Sequence, residues 1–258
     1  DGSVYALFSF GIPEHESFFF GNTSFENLHG ELSAVVKISK EGAIEWARPL
    51  DNTQGGAHPV QIALDGDGGY AVAGNCGNTY IGDYPDGVYE YCSTNYQMTT
   101  FVMRYAANGT LQWIKTVNDA YQFNQLRSFH VGPDGEVYLS NRFWKTGGLD
   151  FGNTTLYRSF HSGSTGYHSM ISPTGEWEWA VSDGITGAPC VGATESVPMG
   201  GSLSVGGSLY VTGYCLNATI GGDAYTYLAE ISNGSWQWTS HLWGECDDDC
   251  TDNPQVYG

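Results

Sequence analysis

Short apolar runs of about five residues recur along the chain, each broken by glycine, asparagine or aspartate. They include "AVVKI" from Ala34, "FVMRY" from Phe101, "YHSMI" from Tyr167 and "YLAEI" from Tyr227. After each comes a tight polar turn and a second run that ends on tryptophan: "EGAIEW", "NGTLQW", "TGEWEW" and "NGSWQW". Upstream of each lies another turn and run: "DGSVYAL" at Asp1, "DGGYAVAG" at Asp67, "DGEVYLS" at Asp134 and "GGSLYVTG" at Gly206. A further run precedes that turn in "VQIAL" at Val60, "RSFHV" at Arg127 and "GSLSV" at Gly201. Short runs bounded by Asp-Gly, Asn-Gly and Gly-Gly are the signature of strands joined by tight hairpins. No stretch carries a helical period.

The tryptophans set the repeat. Trp46, Trp113, Trp179 and Trp238 are 67, 66 and 59 residues apart. A fixed period of this length marks stacked supersecondary units. The sequence predicts four units, 1–50, 51–117, 118–183 and 184–242, each of two hairpins and four strands, in a single domain spanning 1–258. Four-stranded antiparallel units around one axis make an all-β fold, a β-propeller of four blades. Period two along the last strand puts Ile44, Leu111, Trp177 and Trp236 on the face of Trp46, Trp113, Trp179 and Trp238. Glu45, Gln112, Glu178 and Gln237 then point the other way. The four repeat tryptophans are expected to be mostly buried between neighbouring sheets; an aromatic platform for sugars is the alternative.

The motifs "DGEVYLSNRF", "LDFGNTTLYRS" and "FVMRYAANGTLQWIKTV" together resemble the SBBP-type β-propeller repeats of secreted and surface prokaryotic proteins. The resemblance spans all four units and is closest in the second and third. The fourth is shorter between its hairpins, and "YLAEI" carries Glu230 where the family usually has a basic residue. The resemblance implies a propeller in an extracellular setting. It carries no catalytic residues, because the motif is a folding motif.

The first unit begins at its turn and lacks the strand before it. The residues 243–258, with "TDNPQVYG", stand where other units begin that strand; compare "GAHPVQIAL". Asp252–Gly258 is expected to pair beside Gly2–Phe8, in the same molecule or in the next copy. An unpaired edge strand is a template for association, and strand addition between subunits builds polymers. The chain opens at Asp1 with no initiator Met, which reads as a processed product.

Charge narrows the partners. Only 14% of residues are charged, with 28 acids against 9 bases, net −19. No cluster of Lys and Arg is present to neutralise phosphates, which disfavours nucleic acid and anionic membrane surfaces. No apolar run reaches the length of about 18 residues that a membrane span needs. Six cysteines without metal-type spacing read as disulfides of a secreted protein. The pairing that minimises loop length is Cys76–Cys92, Cys190–Cys215 and Cys246–Cys250, out of fifteen alternatives. Five sequons, at Asn22, Asn108, Asn153, Asn217 and Asn233, are candidate glycosylation sites, although Asn-Gly also serves turns.

The segment "ECDDDCTDN" concentrates Glu245, Asp247, Asp248, Asp249 and Asp252. Hard oxygen donors at that density suit Ca²⁺, and a solvated acidic loop is the competing reading. "DGDGG" at Asp65 is a hairpin turn first. The seven histidines do not recur at one repeat position, and no H-E-x-x-H, G-x-S-x-G or phosphate loop is present. Paired carboxylates could still converge in space. The sequence points first to a non-catalytic structural protein of the cell surface: a self-assembling subunit of a filament, sheath or matrix. The alternative is an adhesion propeller that binds glycan or protein, motivated by the tyrosine-rich stretch from Tyr80 to Tyr96. A polysaccharide-active enzyme comes third.

Overall fold

A computed structural model describes residues 2–11, 17–21, 23–26, 31–50, 57–77, 79–82, 87–92, 99–117, 126–144, 148–158, 163–217 and 223–242. Among them every regular element is a β-strand. β1 (Val4–Gly11), a ribbon of β2 (Ser17–Phe20) and β3 (Thr23–Glu26), then β4 (Glu31–Ile38) and β5 (Ile44–Leu50) come first. β6 (Ala57–Leu64), β7 (Tyr70–Cys76), a ribbon of β8 (Thr79–Gly82) and β9 (Tyr89–Cys92), β10 (Thr99–Tyr105) and β11 (Leu111–Val117) follow. Then come β12 (Ser128–Val131), β13 (Val137–Phe143), a ribbon of β14 (Leu149–Asp150) and β15 (Thr155–Leu156), β16 (Thr165–Ile171) and β17 (Trp177–Ser182). β18 (Glu195–Leu203), β19 (Leu209–Asn217), β20 (Asp223–Ser232) and β21 (Ser235–Leu242) complete the order.

The main sheets are antiparallel meanders: β1-β4-β5, β6-β7-β10-β11, β12-β13-β16-β17 and β18-β19-β20-β21. The first has three strands among the described residues and the other three have four. The innermost strands lie side by side, β1 against β6, β6 against β12 and β12 against β18. Three two-stranded ribbons, unforeseen in the repeat pattern, sit between the second and third strands of the first three units. The tyrosine-rich insertion is one of them, β8–β9. Its strands follow β-propensity: Phe, Tyr and Thr fill the ribbons, and Gly82 at φ +95° turns the second. The predicted closing strand, Asp252–Gly258, lies outside the described residues.

One expectation is corrected by a bulge. The pairing of the last two strands slips at Lys37/Ile38, Arg104/Tyr105, Met170/Ile171 and Glu230/Ile231, the same place in each sheet. Trp46, Trp113, Trp179 and Trp238 pair with Lys37, Arg104, Met170 and Glu230. Glu45, Gln112, Glu178 and Gln237 are therefore extra residues, skipped by the ladder. A bulge breaks strict alternation. The two apolar residues on either side of it consequently serve opposite faces: Leu111 joins the core between the first and second sheets, while Trp113 joins the core between the second and third. Two further bulges fall at Pro59 and Pro198, where the missing amide cannot feed the ladder.

The core is accordingly laminar. Tyr70, Val72, Phe101 and Met103 fill the space between the first and second sheets. Ala71, Val102, Val137 and Ile171 fill the next, extended by Phe143, Leu149, Phe151 and Tyr167 from the third sheet and its ribbon. Val181, Val211, Tyr227 and Ile231 fill the third. Tryptophan burial is unequal: Trp113 is buried, Trp46 and Trp179 are half-buried, and Trp238 is 41% exposed. The expectation of four mostly buried tryptophans fails at Trp238 because no described sheet lies beyond β21.

Candidate functional site

The first three repeat tryptophans each meet the outer turn of the following sheet. Trp113 donates its indole N–H to the carbonyl of Pro173 at 2.9 Å. It packs with Val137 and Trp177 and lies over Gly175, where an added Cβ would stand 2.8 Å from Trp113 Cγ. Trp179 repeats this against Leu209, Trp236 and Gly234, with a corresponding Cγ distance of 2.9 Å. Between the first two sheets Trp46 packs with Leu111. There Arg48 stacks 5.1 Å above the Trp46 ring and donates to the Asn108 carbonyl, occupying the space over Gly109. A second contact accompanies it: Tyr5 and Tyr138 donate to the carbonyls of Gly68 and Gly207, in the inner turn of the next sheet, at 3.3 and 3.4 Å.

At the end of the series both halves of this contact stand open among the described residues. Trp238 and Leu228 (37% exposed) form an apolar patch on the far face of the fourth sheet. The Trp238 indole donates to Glu230 Oε2 of its own sheet at 2.6 Å, and its ring lies 6.2 Å from Tyr210. On the first sheet, Val4, Ile38 and Ile44 align across three strands. Val4 is 58% and Ile44 42% exposed, and Gly42 has nothing within 4 Å of where a Cβ would stand. These occupy the register positions of Val137, Trp177 and Gly175, the residues that receive Trp113.

The inner strands enclose a second feature. A cavity of about 370 Å³ is lined by Gln61, Arg127, Ser128, His130, Gly200 and Gly201, among others, and a neighbouring hollow of about 450 Å³ shares His130. The imidazole is held by Ser128 Oγ at 2.9 Å from Nε2. Burial pushes His130 below its ordinary value, and a bond to the Gly201 backbone opposes this.

The structure also brings together residues that the sequence did not connect. Ser140 Oγ is 2.8 Å from His168 Nδ1, and His168 Nε2 is 2.8 Å from Asp183 Oδ1. Tyr227 donates its hydroxyl to Asp183 Oδ2 at 3.0 Å. The residue types are those of a Ser-His-Asp triad, but the two ring nitrogens are exchanged, serine on Nδ1 and aspartate on Nε2, and all three members are sealed in the protein. A nucleophile must be reachable by substrate. The network instead satisfies polar groups between the third and fourth sheets, with Trp236 set edge-on to His168 at 5.4 Å. Its sequence signal is Gly166: any Cβ there would overlap the Asp183 carboxylate.

The remaining sequence candidates are dispersed. Cys76–Cys92 and Cys190–Cys215 are bonded, with Cα atoms 5.9 and 5.5 Å apart. The first ties β7 to the end of the β8–β9 ribbon. Cys246, Cys250, Asn22 and the acidic run with Asp247, Asp248, Asp249 and Asp252 lie outside the described residues. Asn108, Asn153 and Asn233 are exposed at turns, Asn233 at φ 49°, and Asn217 ends β19. Asn108 Oδ1 accepts from the Thr110 amide at 2.9 Å, a turn-forming bond. Asp65, in the "DGDGG" turn, is engaged by buried Arg104. On the β8–β9 ribbon Tyr80 lies 5.8 Å from Tyr89 and 4.9 Å from Tyr91, and the latter two are exposed. No family model matches the chain, and no curated protein matches it.

Proposed function

We propose that the chain is a non-catalytic, extracellular structural β-propeller whose copies assemble head to tail, the fourth sheet of one copy against the first sheet of the next. The observation that carries this is the unfilled contact: Trp238 and Leu228 on one end, Val4, Ile44 and the Gly42 turn on the other. A donor patch and a different acceptor patch on one molecule form a heterologous interface, which propagates into filaments when it does not close. In this reading the four main sheets are propeller blades and one chain forms one domain. The resemblance to SBBP-type repeats supports the blade architecture. Two disulfides support an oxidising setting outside the cell.

Sedimentation velocity across a concentration range, with electron microscopy of the same samples, tests the proposal. Oligomers should grow with concentration, and Trp238→Ala or Ile44→Asp should leave folded monomers. A wild-type chain that stays monomeric, and that Trp238→Ala destabilises by several kcal/mol as a core change would, places the contact inside one molecule and overturns assembly through this seam. A glycan-binding adhesin is the second reading, favoured by the exposed Tyr89 and Tyr91; a glycan array separates it from an inert scaffold.

A further inference from the structure

Basic residues are scarce, 9 against 28 acids, yet two arginines meet in one cleft between the third and fourth sheets. Arg127 leads into β12 and donates its amide to the Ser140 carbonyl at 3.1 Å. Arg142 lies two residues further along β13, with its Nη1 3.6 Å from Glu195 Oε1 on β18. That carboxylate oxygen also accepts from Ser164 Oγ at 2.8 Å. One Glu195 oxygen thus serves Arg142 and Ser164 together. Burial pushes the Arg127 guanidinium below its usual value, and the Arg142 charge adds to this. Tyr214, across on β19, feels Glu195 and both arginines. The Nε atoms of Arg127 and Arg142 are both buried and have no hydrogen-bond partner among the described residues. Arg127 also lines the 370 Å³ cavity, beside Ser128, His130 and Gly201.

Buried guanidinium N–H groups without acceptors call for a missing partner. The fork of an arginine fits the two oxygens of a planar carboxylate, and such charge-assisted bonds are the strong ones. We propose that this cleft binds the carboxylate of a small organic acid, held between Arg127 and Arg142 with the Tyr214 hydroxyl beside it. Glu195 competes for Arg142 and keeps the affinity modest. The site is independent of the assembly seam, which lies on the far faces of the first and fourth sheets.

Isothermal titration of the full chain, at constant ionic strength in chloride, tests this with acetate, D-glucuronate, sulfate and D-glucose. Acetate and glucuronate should saturate one site and glucose should not bind. Equal affinities for the two acids assign the site to the carboxylate alone; tighter glucuronate adds the sugar ring from the cavity. Arg142→Gln should weaken acetate about tenfold or more, the scale of a charged hydrogen bond. Glu195→Gln should tighten it, a gain that unfolding cannot mimic. Near-ultraviolet circular dichroism of Arg142→Gln establishes that its cleft is folded. No saturable acid binding, sulfate binding tighter than acetate, unchanged affinity in folded Arg142→Gln, or weaker binding in Glu195→Gln would each overturn the assignment.

Discussion

The indole of Trp113, on the second sheet, lies 2.8 Å from where a β-carbon on Gly175 would stand in the outer turn of the third. Gly175 is at φ +87° and Gly42, its counterpart in the first sheet, at φ +86°. The two backbones carry the same strain for an L-residue, but only Gly175 has a ring over it. Gly42→Ala should therefore cost only the backbone strain, about 1–2 kcal/mol. Gly175→Ala should cost more by the displacement of Trp113, about 1–3 kcal/mol extra as overpacking. Guanidinium unfolding of the pair isolates the seam; equal losses would show that Trp113 yields freely. Trp113→Ala itself should cost about 3–5 kcal/mol.

That seam was half legible. The tryptophan period, the Asp-Gly and Asn-Gly turns and the strand lengths follow from local chemistry, and they place β4–β5, β10–β11, β16–β17 and β20–β21 correctly. Facing was misread because the bulge at Glu45, Gln112, Glu178 and Gln237 depends on how two strands pair, which period two along one strand does not reveal. The ribbons escaped because Leu149–Asp150 and Thr155–Leu156 are too short to show any period. The Arg127–Arg142–Glu195 cleft and the Ser140–His168–Asp183 network join residues from different strands and sheets, so only the register and the sheet stacking bring them together.

The buried network should answer to partner removal, not to substrate. Asp183→Ala leaves the His168 ring and the Tyr227 hydroxyl facing an emptied, sealed space. A loss of about 3–5 kcal/mol is expected, as for breaking a buried polar pair. Ser140→Ala removes one bond and should cost about 1–2 kcal/mol. A fluorophosphonate serine probe should leave Ser140 unlabelled in the folded protein by mass spectrometry. Labelling at Ser140 would show that the cleft opens.

Removing either disulfide should cost nearly the same. Cys76–Cys92 closes a separation of 16 residues and Cys190–Cys215 one of 25. Loop closure of this size is worth about 3 kcal/mol for each, with only a few tenths between them. Paired alanine variants, unfolded by denaturant, check this. Thiol reagent should find no reactive sulfur at these four positions in denatured, unreduced protein; labelling there would remove the argument for an oxidising compartment.

Alkali should unfold the protein through its tyrosines. Burial pushes the Tyr70 hydroxyl up to about 12, with Arg48 opposing and Tyr5 adding to the shift. Its ring is closed in by Tyr105 at 4.8 Å and Trp46 at 5.9 Å. Tyr227 is raised well above its ordinary value by burial, and then by Asp183, whose charge and hydrogen bond both favour the protonated phenol. Tyr138, Tyr214 and Tyr225 are raised as well, each first by burial. An unfolded tyrosine titrates near 10. A group whose folded value is higher contributes stability that is complete below that pH and is lost as pH rises through the folded value. The window for Tyr70 is therefore about pH 10 to 12, and its share is about 3 kcal/mol. Tyrosinate absorbance and far-ultraviolet circular dichroism, followed together, should show sheet loss coinciding with the late-titrating tyrosines. Tyr70→Phe should flatten the pH dependence of unfolding between pH 10 and 12 by Tyr70's share. All 17 tyrosines titrating near 10 with the sheets intact would mean that water reaches Tyr70 and Tyr227, and that the cores between the sheets are looser than their packing shows.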